Sequence, residues 1–186
     1  MPIVMAALAV SVDGYITGRG ARPGHGLGDG GTLFDWNGDP GNAGYFTRLS
    51  ERVGAVVTGR TTYDDCEGFG GGSPHATAPM VVVSHRPAPA EYVGSDRQFF
   101  AGGIEDAVAR ALHLAGDAEI VGIQGGVTST AAIAAGLVDE LVLHQVPVLL
   151  GGGRPFFHEL PHHVRLELIA ATPAAGVTHL HYRIEK

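Results

Sequence analysis

Three stretches of this sequence place glycine, hydroxyl or guanidinium groups directly after short apolar runs: Gly59-Arg60-Thr61, Ser84-His85-Arg86 and Gly125-Gly126. The runs before them, Ala55 to Thr58, Met80 to Val83 and Ile120 to Ile123, are β-branched and apolar and read as buried strands. Glycine lets a backbone approach a ligand closely. The free amides of a helix's first turn favour an anion, and a guanidinium pairs with phosphate oxygens. Gly59, Arg60 and Thr61 therefore suit a pyrophosphate. Ser84 and Arg86 set a hydroxyl beside a guanidinium, which suits the ribose 2′-phosphate that separates NADP from NAD. Taken singly, each stretch also fits a plain strand-to-helix connection. Three of them at the carboxyl ends of strands, where open α/β sheets bind ligands, point to a dinucleotide.

Two other motif matches fail on context. Gly26-Leu27-Gly28-Asp29-Gly30-Gly31 fits G-x-G-x-x-G, but it lies far from the first strand and well ahead of the next helix. His158-Glu159-Leu160-Pro161-His162 fits H-E-x-x-H. Zinc binding needs both histidines on one helical face, and Pro161 would break that helix against the carbonyl of Phe157. His162, His163, His179 and His181 are expected to be solvated or at a sheet edge, and no metal is assigned. The single cysteine, Cys66, permits no intrachain disulfide and reads as a structural thiol.

The elements that must position these turns are visible in the periodicity. Ile3 to Val12 is an apolar run closed by Asp13-Gly14 and reads as a central strand. Gly18 to Gly38 reads as a long loop whose Leu33, Phe34 and Trp36 either line a pocket or anchor the loop. Phe46, Leu49 and Val53 recur at helical spacing, with Asn42 as the expected cap. Ile104, Val108 and Leu112 mark another helix, with Asp106 and Arg110 as an i,i+4 pair. Gly68 to Pro79 reads as a loop, and the alanine-rich run Ala131 to Ala135 continues a helix opened by Gly125-Gly126. Glu140 to Leu150 reads as a long strand interrupted by Pro147. Beyond it, two runs of period two flank Ala174-Ala175-Gly176 and predict a hairpin. The order β-α-β-α-β-β-α-β-α-β-β-β predicts a single-domain α/β fold. Its mostly parallel central sheet is flanked by helices on both faces and ends in an antiparallel C-terminal hairpin.

Composition narrows the function classes. A length of 186 residues suffices for one domain with a full core. The net charge of -7 opposes general nucleic-acid binding, because phosphate chains are repelled at long range. No apolar run approaches a membrane span, and the first strand begins without the charged start of a signal peptide. A cytoplasmic location is expected.

The chain resembles the dihydrofolate reductase-like superfamily, closest to free-standing relatives of the reductase domain of bifunctional riboflavin-biosynthesis deaminase–reductases (the RibD C-terminal domain). The residues that carry the resemblance are Ser11-Val12-Asp13-Gly14-Tyr15-Ile16, Gly59-Arg60-Thr61-Thr62-Tyr63 and Gly125-Gly126. They include also Leu137-Val138-Asp139-Glu140-Leu141, running into Pro147-Val148-Leu149-Leu150-Gly151-Gly152-Gly153-Arg154-Pro155-Phe156-Phe157. The resemblance implies a homodimer, NADPH as hydride donor and a small nitrogen heterocycle, pyrimidine or pterin-like, as acceptor. It implies that Gly59, Arg60 and Thr61 meet the pyrophosphate and that Ser84 and Arg86 meet the 2′-phosphate. Gly125, Gly126, Val127 and Thr128 would line the nicotinamide half. Asp13 would sit near nicotinamide and substrate, orienting or protonating the substrate; as part of Asp13-Gly14 it equally reads as a turn residue. Two departures stand out. Riboflavin enzymes of this kind usually carry an acid where this chain has Gln124. Dihydrofolate reductases carry an acid in the helix after the first strand, where this chain has only Glu51 near the far end. Dihydrofolate reductase proper and a non-catalytic nucleotide-binding regulator are the alternatives.

Overall fold

The computed structural model describes residues 1–186. The strands are β1 (Ile3–Ser11), β2 (Val53–Gly59), β3 (Met80–Val83), β4 (Gln98–Ala101), β5 (Ile120–Gln124), β6 (Glu140–Val146), β7 (Leu166–Ala174) and β8 (Val177–Ile184). The helices are α1 (Ala43–Ser50), α2 (Arg60–Asp65), α3 (Ile104–Ala115) and α4 (Gly126–Ala134). All eight strands join one sheet in the order β4-β3-β2-β5-β1-β6-β8-β7. The pairs from β4 through β6 are parallel, and β8 runs antiparallel to both β6 and β7. The predicted architecture, including the terminal hairpin, is the one observed.

β1 lies near the centre because it is apolar on both sides. Val4, Ala6 and Val10 join a core with Ala107, Val108 and Ala111 of α3 and Ala132 and Ile133 of α4. Met5 and Ala9 face the opposite layer, where Leu33 and Trp36 cover the sheet from a short 3-10 helix, Gly31–Gly38. Leu33 is fully buried, which contributes about 2 kcal/mol. Leu33 and Trp36 thus anchor the long loop, while Phe34 stays partly exposed.

Several boundaries and contacts differ from expectation. Helix α1 stops at Ser50, and Val53 already opens β2. The Asn42 side chain caps nothing; its Nδ2 donates to the Trp36 and Ala175 carbonyls at 2.8 Å each, tying the loop to the hairpin turn. Arg110 lies over the Phe99 ring and donates to the Phe100 carbonyl instead of pairing with Asp106. β6 ends at Val146, because Pro147 has no amide to continue the ladder.

Candidate active site

β3, β2 and β5 are neighbours in the sheet, with Gly59 opposite Val83 and Thr58 opposite Gln124. Parallel pairing therefore brings the three glycine- and arginine-bearing turns to one edge. A cleft of about 1160 Å³ opens there and extends along α1. Gly59, Arg60, Thr61, Gly125, Gly126, Val127 and Thr128 line one end of it. Ser84 and Arg86 do not line it; they connect to its lining through Arg60, whose Nη1 lies 3.4 Å from Ser84 Oγ. Asp64 holds both guanidinium groups: Arg60 Nε donates to Oδ1 and Arg86 Nη2 to Oδ2, each at 2.7 Å. Burial pushes the Asp64 carboxyl up, but the hydrogen bonds and charges of Arg60 and Arg86 outweigh this and hold it below the usual range. Two cations on one carboxylate leave a positive corner beside a serine hydroxyl.

Gly125 adopts φ of 88°, a backbone that L-residues avoid, and turns β5 into α4. No side chain caps α4, so its first-turn amides are free to meet a ligand. Gly126 lines the cleft, and its missing side chain also serves the packing of the chain. A Cβ on Gly126 would lie 2.5 Å from the Pro155 carbonyl oxygen and 2.7 Å from that of Phe156. The close approach at this position is to the chain itself.

Asp13 does not line the cleft. Its carboxylate accepts from Ser11 Oγ at 2.5 Å, Leu150 N at 3.1 Å and Gly151 N at 2.7 Å. The Ser11 bond is the largest influence on its pKa; desolvation, second in size, opposes it, and the Gly151 and Leu150 amides add to the Ser11 bond, so the pKa stays low. Asp13 thus joins the end of β1 to the glycine-rich loop after β6. Arg154 of that loop pairs with the buried Asp65, and its amide donates to Thr17 Oγ1. Asp65 is the one carboxylate lining the cleft, and this pairing neutralises it. The rejected motifs have no ligand geometry: residues 157–160 are irregular, and Gly30 packs against the Gly18 backbone.

The other end of the cleft was not anticipated as a site. Ala7 and Ala9 of β1 and Gly122 of β5 form a floor of small side chains. Phe46 and Leu49 of α1, Phe34 and His144 of β6 surround it. Phe69 joins the wall from a turn in which Glu67, Gly68, Phe69, Gly70 and Gly71 all have positive φ. The buried Gln98 supports that turn, donating from Nε2 to the Gly68 and Gly72 carbonyls. His75 also lines the cleft; its Nδ1 accepts from the Ala78 amide, so its Nε2 carries the proton towards Ser50.

His144 and His179 correct the reading of the histidines. His179 is buried rather than solvated, and its Nδ1 lies 3.0 Å from His144 Nδ1. Tyr45 stacks on the His179 ring at 3.9 Å, and Trp36 packs edge-on against it. Burial, with His179 adding to it, pushes the His144 pKa down to about 3, and burial lowers that of His179. Burial also raises the Cys66 thiol, as does neighbouring Asp65, so this exposed cysteine stays protonated. Of the two departures, Gln124 lines the cleft and Glu51 does not.

The sheet order and the cleft at its carboxyl edge define a dihydrofolate reductase-like α/β protein with a reductase-type fold. Residues 2–180 match the RibD C-terminal domain, and the chain belongs to that family. It is similar to a putative riboflavin biosynthesis protein from Shewanella sp. PV-4, with 28% identity and a TM-score of 0.77 over 99% of each chain. It is 24% identical over 180 residues to the uncharacterized protein YwjB of Bacillus subtilis (strain 168), covering 94% of each. The fold is shared with a dihydrofolate reductase from Enterococcus faecalis solved with NADP(H) and RAB-propyl. There the TM-score is 0.65 and the identity 19%, over 99% of this chain and 97% of that one.

Proposed function

We propose that this protein is an NADPH-dependent reductase that transfers a hydride to a small nitrogen heterocycle. The observation that carries this reading is the convergence of three turns on one edge of the cleft, with Arg60, Arg86 and Ser84 gathered around Asp64. That corner fits a 2′-phosphate, and the uncapped amides of α4 fit the nicotinamide half. A cleft of about 1160 Å³ has room for a dinucleotide and a second small ring. NADPH, when bound, supplies the hydride. The chain positions the two rings, excludes water and provides hydrogen bonds. No free carboxylate reaches the ring-binding end, which disfavours dihydrofolate reductase proper. In this reading Asp13 positions the glycine-rich loop and does not touch the substrate. The riboflavin pathway supplies the natural chemistry to try first: an aminouracil of the 5-amino-6-ribosylaminouracil type.

Arg86→Ala should cost about 1–2 kcal/mol of NADPH affinity, the lower part of the range for charged hydrogen bonds because Arg86 is well exposed. NADH affinity should barely change. Calorimetric titration of both cofactors checks this, and equal losses would remove Arg86 from the 2′-phosphate. NADPH oxidation with a panel of pterins and aminopyrimidines separates an enzyme from a nucleotide-binding regulator. The chain is further proposed to form a homodimer through β7, whose Leu166, Leu168 and Ile169 are 41%, 55% and 40% exposed on a sheet edge. Light scattering at micromolar concentration should show a dimer.

A further inference from the structure

Ala9, His144 and His179 stand opposite one another across β1, β6 and β8, in one row on one face of the sheet. Ala9 is small, so the row opens towards the cleft in front of His144. His144 Nδ1 and His179 Nδ1 are 3.0 Å apart. Two bare nitrogens do not approach so closely, and burial keeps both rings uncharged. One Nδ1 therefore carries a proton and the other accepts it. The ring that donates from Nδ1 has a bare Nε2, and the ring that accepts has an Nε2–H.

The surroundings decide which ring is which. His179 Nε2 is sealed from solvent and has no partner. An orphaned buried N–H is rarer than an under-used acceptor. Tyr45 and Trp36 flank the ring without offering it an acceptor, since the stacked Tyr45 makes no hydrogen bond to it and Trp36 Nε1 donates to the Leu33 carbonyl. His144 Nε2 has no protein partner either, but it is not sealed, and its residue lines the cleft. The proton economy thus places Nδ1–H on His179 and Nε2–H on His144.

We propose that His144 offers its Nε2–H to the bound substrate as a fixed hydrogen-bond donor, with His179 holding the tautomer from behind. The substrate is then a heterocycle that turns an acceptor, a ring carbonyl oxygen or an imine nitrogen, towards β6. His144 is a specificity-determining residue, and His179 is a positioning residue. This inference rests on the reading of the cleft as a heterocycle site.

Nitrogen-15 long-range correlation spectra of the protein without ligand test the tautomers directly, with no variant required. The expected pattern is a protonated Nε2 on His144 and a protonated Nδ1 on His179; the reverse pattern would overturn the proposal. Titration with lumazine, which carries ring carbonyls and imine nitrogens, tests the ligand half. Its binding should shift the His144 Nε2 resonance. His144→Gln, which keeps an amide donor, should hold lumazine affinity within about threefold. His144→Phe should weaken it at least tenfold while NADPH affinity stays unchanged. His179→Phe should leave His144 as a mixture of tautomers and weaken lumazine less than His144→Phe does. Thermal melts confirm that each variant is folded. No binding of lumazine to the native protein, or equal binding to a folded His144→Phe variant, would overturn the donor role. Lumazine binding through His144 with no NADPH binding at all would remove the reductase reading and leave this one standing.

Discussion

The two ends of the cleft are built from different material. The end at β2, β3 and β5 is built from glycines and first-turn amides, with the side chains of Arg60, Ser84 and Arg86 gathered around Asp64 at its corner. A Cβ on Gly59 would collide with Thr128 Oγ1, and one on Gly126 with two carbonyl oxygens. The end beside α1 is made of side chains from distant elements: Ala9 of β1, Phe46 of α1, His144 of β6 and His179 behind it. On the proposed reading, sheet topology and turn backbone shape the end that takes the cofactor, and an added atom there costs stability. Side chains from distant elements shape the end that takes the heterocycle.

Gly126→Val is the strongest way to break this comparison. The added side chain meets the Pro155 and Phe156 carbonyls, and backbone cannot swing aside as a flexible side chain can. The expected loss is about 3 kcal/mol, the upper part of the range for overpacking. Val127→Ala, at a position 68% exposed in the same helical turn, should stay within about 0.5 kcal/mol. Urea midpoints at constant slope measure both. Full stability in Gly126→Val, with NADPH binding lost, would return this glycine to a ligand-facing role.

Acid titration sharpens the contrast at the other end. Below pH 6.5 the unfolded chain protonates its histidines, while native His144 resists until about pH 3. The stability that neutral His144 contributes is therefore complete above pH 6.5 and lost as the pH falls, by about 1.4 kcal/mol per unit. Asp64 at the cofactor end is held below its ordinary 3.8, so its contribution is lost only below that value. Between pH 3.8 and 6.5 the two ends separate. His144→Phe should flatten the slope of stability against pH there. An equally steep slope in the variant would mean that this histidine is not held neutral in the folded state.

What could be read in the sequence follows the same division. The three turns that converge at one edge of the sheet were legible because their signals are local: an apolar run, then glycine and arginine within a few residues. The sheet was legible from periods of two and 3.6. His144 and His179 were not, because the fact that matters, their burial against each other, depends on β6–β8 pairing across 35 residues. On a strand reading as an alternating edge, His179 looked solvated; Tyr45, stacked on its ring from α1, and Trp36, arriving from the long loop, cover it. The positive-φ turn around Phe69 was also hidden, because its support comes from Gln98 on another strand. Asp13 was ambiguous for the opposite reason. Its local pattern allows a turn and a site equally, and the bonds to the amides of Leu150 and Gly151, which favour the turn, lie 137 and 138 residues away in the chain.

Asp13→Asn carries the smallest expected effect and tests that distinction. Asparagine keeps one acceptor oxygen but presents an Nδ2–H₂ where the second carboxylate oxygen stood. The carboxylate now takes both the Leu150 and Gly151 amides, so one of the two faces a donor in the variant. The loop after β6 should loosen locally, visible as faster hydrogen exchange at the Gly151 amide, with a small fall in thermal midpoint. NADPH affinity should be unchanged, because no atom of Asp13 lines the cleft. Turnover on any heterocycle the enzyme reduces should fall less than about tenfold, whereas loss of a proton-transferring group costs roughly a hundredfold or more. A loss of that larger size, with Gly151 exchange unaltered, would place Asp13 among the reacting groups and assign the positioning of the glycine-rich loop to Arg154 and Arg19 instead, whose bonds to Asp65 and the Gly151 carbonyl reach the same segment.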